Sequence, residues 1–219
     1  MFDTQNFIRD LLIRAPGILV GLTIHEYCHG LVALWRGDPT AKQAGRLSLN
    51  PFAHLDPFGT LMLLFGPFGW AKPIPVNYNN LRNPRFDSAL VSVAGPVSNI
   101  LCAILFGIVL RFLQIKITGE GVLLYLFLIL RMAYEINIGL SFFNLLPVPP
   151  LDGSNILLSF LPRSKIEPYF RLMRPVPMIF LVLIFIEFTF KIKTISLILF
   201  PLYIPYFSFW NFIIFGGRM

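Results

Sequence analysis

Apolar residues in this 219-residue chain gather into long blocks instead of alternating with polar ones. A helix that crosses a bilayer needs about 20 mainly apolar residues. Three blocks meet that length: Ala15 to Trp35, Ser88 to Leu110 (ending at Arg111), and Val122 to Leu146, which stops at Pro147, Pro149 and Pro150. A shorter block, Val176 to Phe190, carries Glu187, and a last one, Ile195 to Phe215, is interrupted by Pro201 and Pro205. Between the first two runs lies a polar, turn-rich stretch from Arg36 to Asp87. Within it, GRLSLNPFAHLDPFG is expected to hold a short strand or hairpin around Arg46 to Leu49. FGTLMLLFGPFGW is too short to span and is broken by Gly66, Pro67 and Gly69; it reads as a re-entrant or interfacial piece, anchored by Trp70 and Lys72. The pattern predicts an all-α polytopic membrane protein of about five transmembrane helices, with a re-entrant or hairpin segment between the first two. One integral membrane domain is expected over residues 1–219. Residues 15–155 form its catalytic three-helix core and 176–216 an accessory carboxyl-terminal hairpin.

Composition supports lipid as the solvent. Hydrophobic residues make up 56% of the chain and charged ones only 13%, against about a quarter charged in soluble domains. Its 18 prolines and 16 glycines are tolerable in hydrocarbon where neighbouring helices or a cavity satisfy the freed backbone groups. Cys28 and Cys102 lie inside apolar segments and read as small packed hydrophobes, not as a disulfide framework. Asp3, Arg9, Asp10 and Arg14 interrupt the amino terminus, so it lacks a signal-peptide pattern.

The net charge of +7 raises the question of nucleic acid. No basic run interleaved with aromatics is present to follow a phosphate backbone, so no nucleic-acid partner is expected. The basic residues lie mostly between apolar blocks. With five spans, one side holds Arg9, Arg14, Arg111, Lys116, Lys191 and Lys193. The other holds Arg36, Lys42, Arg46, Lys72, Arg82, Arg85, Arg163, Lys165, Arg171, Arg174 and Arg218. The richer side is expected in the cytoplasm, which leaves the amino terminus outside.

Chemistry enters in the first block. His25-Glu26-Tyr27-Cys28-His29 matches H-E-x-x-H. On a helix the two histidines share a face one turn apart, so both rings can reach one ion. Zinc accepts neutral imidazole nitrogen and, in catalytic sites, keeps a position for water. Glu26 follows His25 directly, which brings a carboxylate near that water as a base. A chance pentapeptide on a buried helix is the bland alternative. Placing ionisable residues in mid-span argues against it, because a charged Asp or Lys there costs about 2.5–3.5 kcal/mol on insertion scales.

A third ligand must come from elsewhere. The candidates are Asp38, Asp56, Asp87, Glu120, Glu135, Asp152, Glu167, Glu187 and His54. Asp152 stands in Leu151-Asp152-Gly153, where Asp-Gly also suits a plain turn. It follows a long apolar run that prolines end, on the same expected side as the carboxyl end of the first span. Both readings stay open on spacing alone. Arg131 and Glu135 are i, i+4 in the third span and are expected to pair or to face a water-filled cleft. His54, between Pro51 and Pro57, reads as a solvated loop histidine or as an extra ligand or gate.

HEYCHG at His25 to Gly30 and NLLPVPPLDG at Asn144 to Gly153 together resemble the site-2 protease family of intramembrane zinc metalloproteases. GRLSLNPFAHLDPFG, GWAKPIPVN and AGPVSN resemble a short prokaryotic branch of it, and the similarity covers roughly His25 to Asn155. The resemblance implies one zinc ion held by His25, His29 and Asp152, with Glu26 activating water. It implies Asn144 near the substrate, polarising the scissile carbonyl or holding the peptide, although a helix–helix hydrogen bond would equally suit that residue. Asn99, with Gly95 and Pro96, reads as a close-packing device. The implied partners are a transmembrane protein substrate and the lipid bilayer, in a prokaryotic cytoplasmic membrane with the site toward the cytoplasm.

Three rivals are weaker. A membrane protease with a glutamate ligand on a soluble helix needs a hydrophilic catalytic domain, and no such segment is visible. A catalytically silent scaffold has no support where every expected catalytic group is present. A metal transporter predicts several ligand-bearing spans.

Overall fold

The computed structural model describes residues 4–65, 69–113 and 121–216. Gly66, Pro67, Lys116, Glu120 and Arg218 lie outside the described residues. In chain order the helices are α1 (Thr4–Trp35), α2 (Thr40–Gln43), α3 (Pro57–Phe65), α4 (Pro84–Leu113), α5 (Val122–Asn144), α6 (Asp152–Phe160), α7 (Arg163–Met173), α8 (Val176–Phe190) and α9 (Ile195–Phe215). Single 3-10 turns stand at Pro51–His54 and Tyr78–Asn80. By length and composition four stretches can cross a membrane: Pro84–Leu113, Val122–Asn144, Arg163–Phe190 and Ile195–Phe215. The 32-residue α1, which carries His25, Glu26 and His29, stands outside these four. The chain is an all-α multi-pass membrane protein.

Helices α1, α4 and α5 pack against one another to form the core. Small residues allow the approach: a Cβ on Gly17 would sit 2.6 Å from Ala133 Cα, and one on Gly21 would sit 2.9 Å from Asn137 Oδ1. Without a hydrophobic drive between spans, such backbone proximity is what gains dispersion contact. Helix α9 closes the far side, where Ala103, Leu110, Tyr134, Ile138, Ile214 and Phe215 bury together. Helix α8 contributes no buried residue.

Three expectations are corrected. Arg46 to Leu49 forms no strand, and no strand exists among the described residues. Its carboxyl neighbours instead make one isolated antiparallel bridge, Leu55 with Ala71, that closes the excursion between α1 and α4. Pro73 and Pro75 explain why no ladder grows there, since neither can donate to one. Next, α9 runs unbroken through Pro201 and Pro205, as spanning helices tolerate when neighbours cover the freed carbonyls. Finally, α1 begins at Thr4, not Ala15, because charged Arg9, Asp10 and Arg14 end an apolar run without ending helical hydrogen bonding. Helix α7 has no counterpart among the apolar blocks. Its apolar side chains alternate with Arg163, Lys165, Glu167 and Arg171, a pattern suited to an interface. The nine-residue α3 falls well short of a span, as expected of a re-entrant piece.

Two polar clasps fix the segment after α1. Buried Asp38 accepts hydrogen bonds from Thr40, from the backbone N–H of Asn77 (2.7 Å) and from the Asn80 amide (2.9 Å). Burial opposes its charge, but these donors outweigh it and hold the carboxyl below its ordinary value. Arg36 pairs with buried Asp87 at 2.6 Å. Asp87 also accepts from Asn83 N (2.8 Å) at the start of α4, with Pro84 in the first helical position.

Candidate active site

His25 and His29 project from one face of α1 and are both buried. Asp152, the first residue of α6, meets them there. Its Oδ2 lies 3.2 Å from His25 Nε2 and its Oδ1 lies 3.3 Å from His29 Nε2. The two Nε2 atoms are 3.0 Å apart. Asp152 therefore opens a helix and does not form the free turn that Asp-Gly alone would suggest. Gly153 makes this possible: a side chain there would collide with the carbonyls of Leu145 and Leu146 at the end of α5.

The outer ring nitrogens settle the tautomers. His29 Nδ1 lies 2.7 Å from Val91 O, which can only accept, so this nitrogen carries a proton. Asn99 donates through its amide nitrogen to Gly21 O and to Asn137 Oδ1, each at 3.0 Å. Its Oδ1 therefore accepts from His25 Nδ1 at 2.7 Å. Held this way, the rings turn Nε2 toward each other and toward a carboxylate. Three acceptors so close repel unless a cation stands among them, and buried Asp152 Oδ2 has no hydrogen-bond partner among the described residues. Two imidazoles and a carboxylate, all within 4.8 Å of one another, suit a zinc ion. Gly95 presses against the rings from α4, where a Cβ would come 2.5 Å from both His25 Cε1 and His29 Nε2.

Glu26 lies beside this group, and its Oε2 accepts from Ile74 N–H at 2.8 Å. In Pro73-Ile74-Pro75 only Ile74 has a backbone N–H to give. The strap bearing it is pinned at several points. Arg46 Nη2 donates to Lys72 O (2.8 Å) and Pro73 O (3.3 Å), while Lys72 N–H donates to His54 O (2.8 Å). A cavity of about 410 Å³ opens on His25, Glu26, His29 and Asp152, with Trp70, Ile74, Tyr78, Phe143 and Asn144 among its other walls. Burial and the charge of Asp152 push the Tyr78 phenol above its ordinary value.

Asn144 joins the cavity wall, its amide nitrogen donating to Leu140 O within its own helix (3.1 Å). His54 does not join the metal-capable group. It is buried, not solvated, and donates from Nε2 to Ser48 O at 2.7 Å beneath the strap. Five of the other acidic candidates have different partners. Asp38 and Asp87 serve the clasps, and Asp56 accepts from Gly59 N at the start of α3 (2.8 Å). Glu135 pairs with Arg131 at 2.9 Å, and Glu187 accepts from Thr194 N and Ser196 N at the start of α9. The residue the sequence reading missed is Asn99. Its packing role is real, but it also orients His25, and a buried amide in mid-span was the signal for it.

A helical membrane core that presents two histidines and an aspartate to a cavity, with a glutamate alongside, defines a membrane metallohydrolase. Residues 115–185 match Peptidase family M50. The Bacillus subtilis (strain 168) protein YwhC, named as a zinc metalloprotease, is 45% identical over 148 residues, covering 66% of this chain and 67% of its own. A Methanocaldococcus jannaschii protein with a name of the same kind is 30% identical over 158 residues, covering 72% and 75%. A Mycolicibacterium smegmatis relative is 27% identical over 161 residues, covering 69% and 58%. No solved structure matches. The chain belongs to peptidase family M50, the site-2 protease family, and is a zinc metalloprotease.

Proposed function

We propose that this protein hydrolyses a peptide bond within or next to a transmembrane segment of a membrane protein. His25, His29 and Asp152 hold the zinc ion and Glu26 carries the proton. The observation that supports this most directly is the convergence of His25 Nε2, His29 Nε2 and the Asp152 carboxylate within a helical core. Zinc held by these three groups supplies a Lewis acid that polarises a carbonyl and makes water nucleophilic near neutral pH.

The remaining work falls to the chain. Val91 O and Asn99 Oδ1 each accept from an Nδ1–H, which fixes the two rings in direction and leaves Nε2 as the nitrogen that faces the site. Ile74 N–H engages one oxygen of Glu26 and so orients its carboxylate toward the cavity. Glu26 takes a proton from water as the carbonyl carbon is attacked and returns it to the amine as the C–N bond breaks. Asn144, which lines the cavity, holds the peptide in this reading. The apolar walls at Trp70, Ile74 and Phe143 limit competing water.

A regular substrate helix satisfies its own carbonyls and must unwind before one of them reaches the site. The domain reading follows the same division, with the chemistry in residues 15–155 and an accessory hairpin in 176–216. The charge distribution favours an orientation with this site toward the cytoplasm, and the bacterial and archaeal relatives favour a prokaryotic cytoplasmic membrane.

The test is zinc content in the purified protein. Wild type is expected to hold one equivalent and Asp152→Ala far less. Unchanged zinc in Asp152→Ala would return Asp152 to an acid that merely opens α6.

A further inference from the structure

A second cavity, of about 390 Å³, adjoins the metal site. Its inner wall is Trp70, Phe143 and the Val148–Leu151 turn; its outer wall is Pro177, Phe180, Leu181 and Ile184 of α8. Among the described residues, no charged side chain lines it. Trp70, Phe143, Pro150 and Leu151 also wall the metal cavity, so the two spaces meet across these four residues. Leu151 directly precedes Asp152.

We propose that this pocket is the specificity subsite of the protease. It receives one large apolar side chain, of leucine or phenylalanine size, from the substrate residue beside the cleaved bond. The inference rests on the proteolytic reading above and adds to it which residue the enzyme selects.

Three features carry it. An extended peptide sends successive side chains to opposite sides of its backbone. A peptide with its carbonyl at the metal therefore sends a neighbouring side chain toward the wall that Leu151 and Phe143 share. The far wall comes from α8, which has no residue buried in the core, so a substrate side chain can settle there without disturbing the α1–α4–α5 packing. Burying an apolar group in such a pocket favours binding, whereas a carboxylate there has no partner and is rejected. A pocket of this kind distinguishes a methylene more or less by roughly 10–200-fold. It therefore selects for side-chain size.

The experiment uses the full-length protein in liposomes with a panel of single-span peptides that differ at one residue flanking the cleaved bond: Ala, Leu, Phe or Asp. Wild type is expected to cleave the Leu and Phe members at least about 10-fold faster than Ala, and Asp barely at all. Leu181→Trp fills the pocket and is expected to reverse the order in favour of Ala. Phe180→Ala widens it and is expected to strengthen the preference for Phe. Both positions lie away from the metal ligands, so both variants should keep zinc; measured zinc content distinguishes a filled pocket from a misfolded protein. Zinc-loaded variants that rank the panel as wild type does would overturn the subsite and assign the space to lipid. If no member is cleaved in a Glu26-dependent way, the proteolytic reading fails, and the subsite fails with it.

Discussion

Asn99 Oδ1 lies 2.7 Å from His25 Nδ1, and the same amide donates to Gly21 O and Asn137 Oδ1. One buried side chain of α4 thus joins α1 to α5 and sets the direction in which a zinc-binding ring faces. Partners of this kind stiffen the ligand and raise its basicity. Asn99→Ala is expected to weaken zinc binding by about 10–100-fold, measured by competition with a chelator of known affinity. Helix content should change little. Undiminished affinity would mean that packing alone orients His25.

Ile74 offers a second separation of roles. Replacing it with proline removes the N–H that Glu26 accepts, in a segment already extended between Pro73 and Pro75. Zinc should remain bound, because no ligand is touched. The expected loss is in kcat, on the order of 10²-fold for a misplaced base, with KM little altered. Ile74→Val keeps the donor and should behave as wild type. Equal losses in both variants would assign the effect to the side chain.

Asp38 predicts a pH dependence of stability. Its carboxyl is held below the ordinary value of 3.8 in the folded chain. The unfolded state therefore binds the proton more readily, and Asp38 contributes stability that is fully present above that ordinary value. The contribution is lost as pH falls through the lower folded value. Thermal unfolding in detergent should show wild type losing stability below about pH 4. Asp38→Asn should be less stable at neutral pH and should show a shallower fall in the acid window. Parallel curves would place the acid sensitivity elsewhere.

The uneven legibility of this protein in its sequence has physical causes. His25, Glu26 and His29 stand out because three polar residues inside an apolar block are costly to bury and their spacing matches one helical turn. Asp152 is harder, since its ligand geometry depends on α6 docking against the end of α5, and Gly153 is the sole local trace of that contact. Asn99 acts on a residue 74 positions away. Its amide shows only that some partner is needed, not which one. His54 reads as a solvated loop residue because the strap that buries it is assembled from Arg46, Lys72 and Leu55, none of which is helical. Helix boundaries shift for a related reason: backbone hydrogen bonding continues past the last apolar residue, as at Thr4–Arg14 and at Pro84.

The proteolytic reading depends most on Glu26. The decisive measurement is cleavage of single-span membrane proteins by purified wild type and Glu26→Gln, with zinc content determined in parallel. The predicted result is equal zinc in both proteins and a fall in the cleavage rate of about 10²–10⁴-fold in the variant. Equal cleavage by zinc-loaded Glu26→Gln would contradict it.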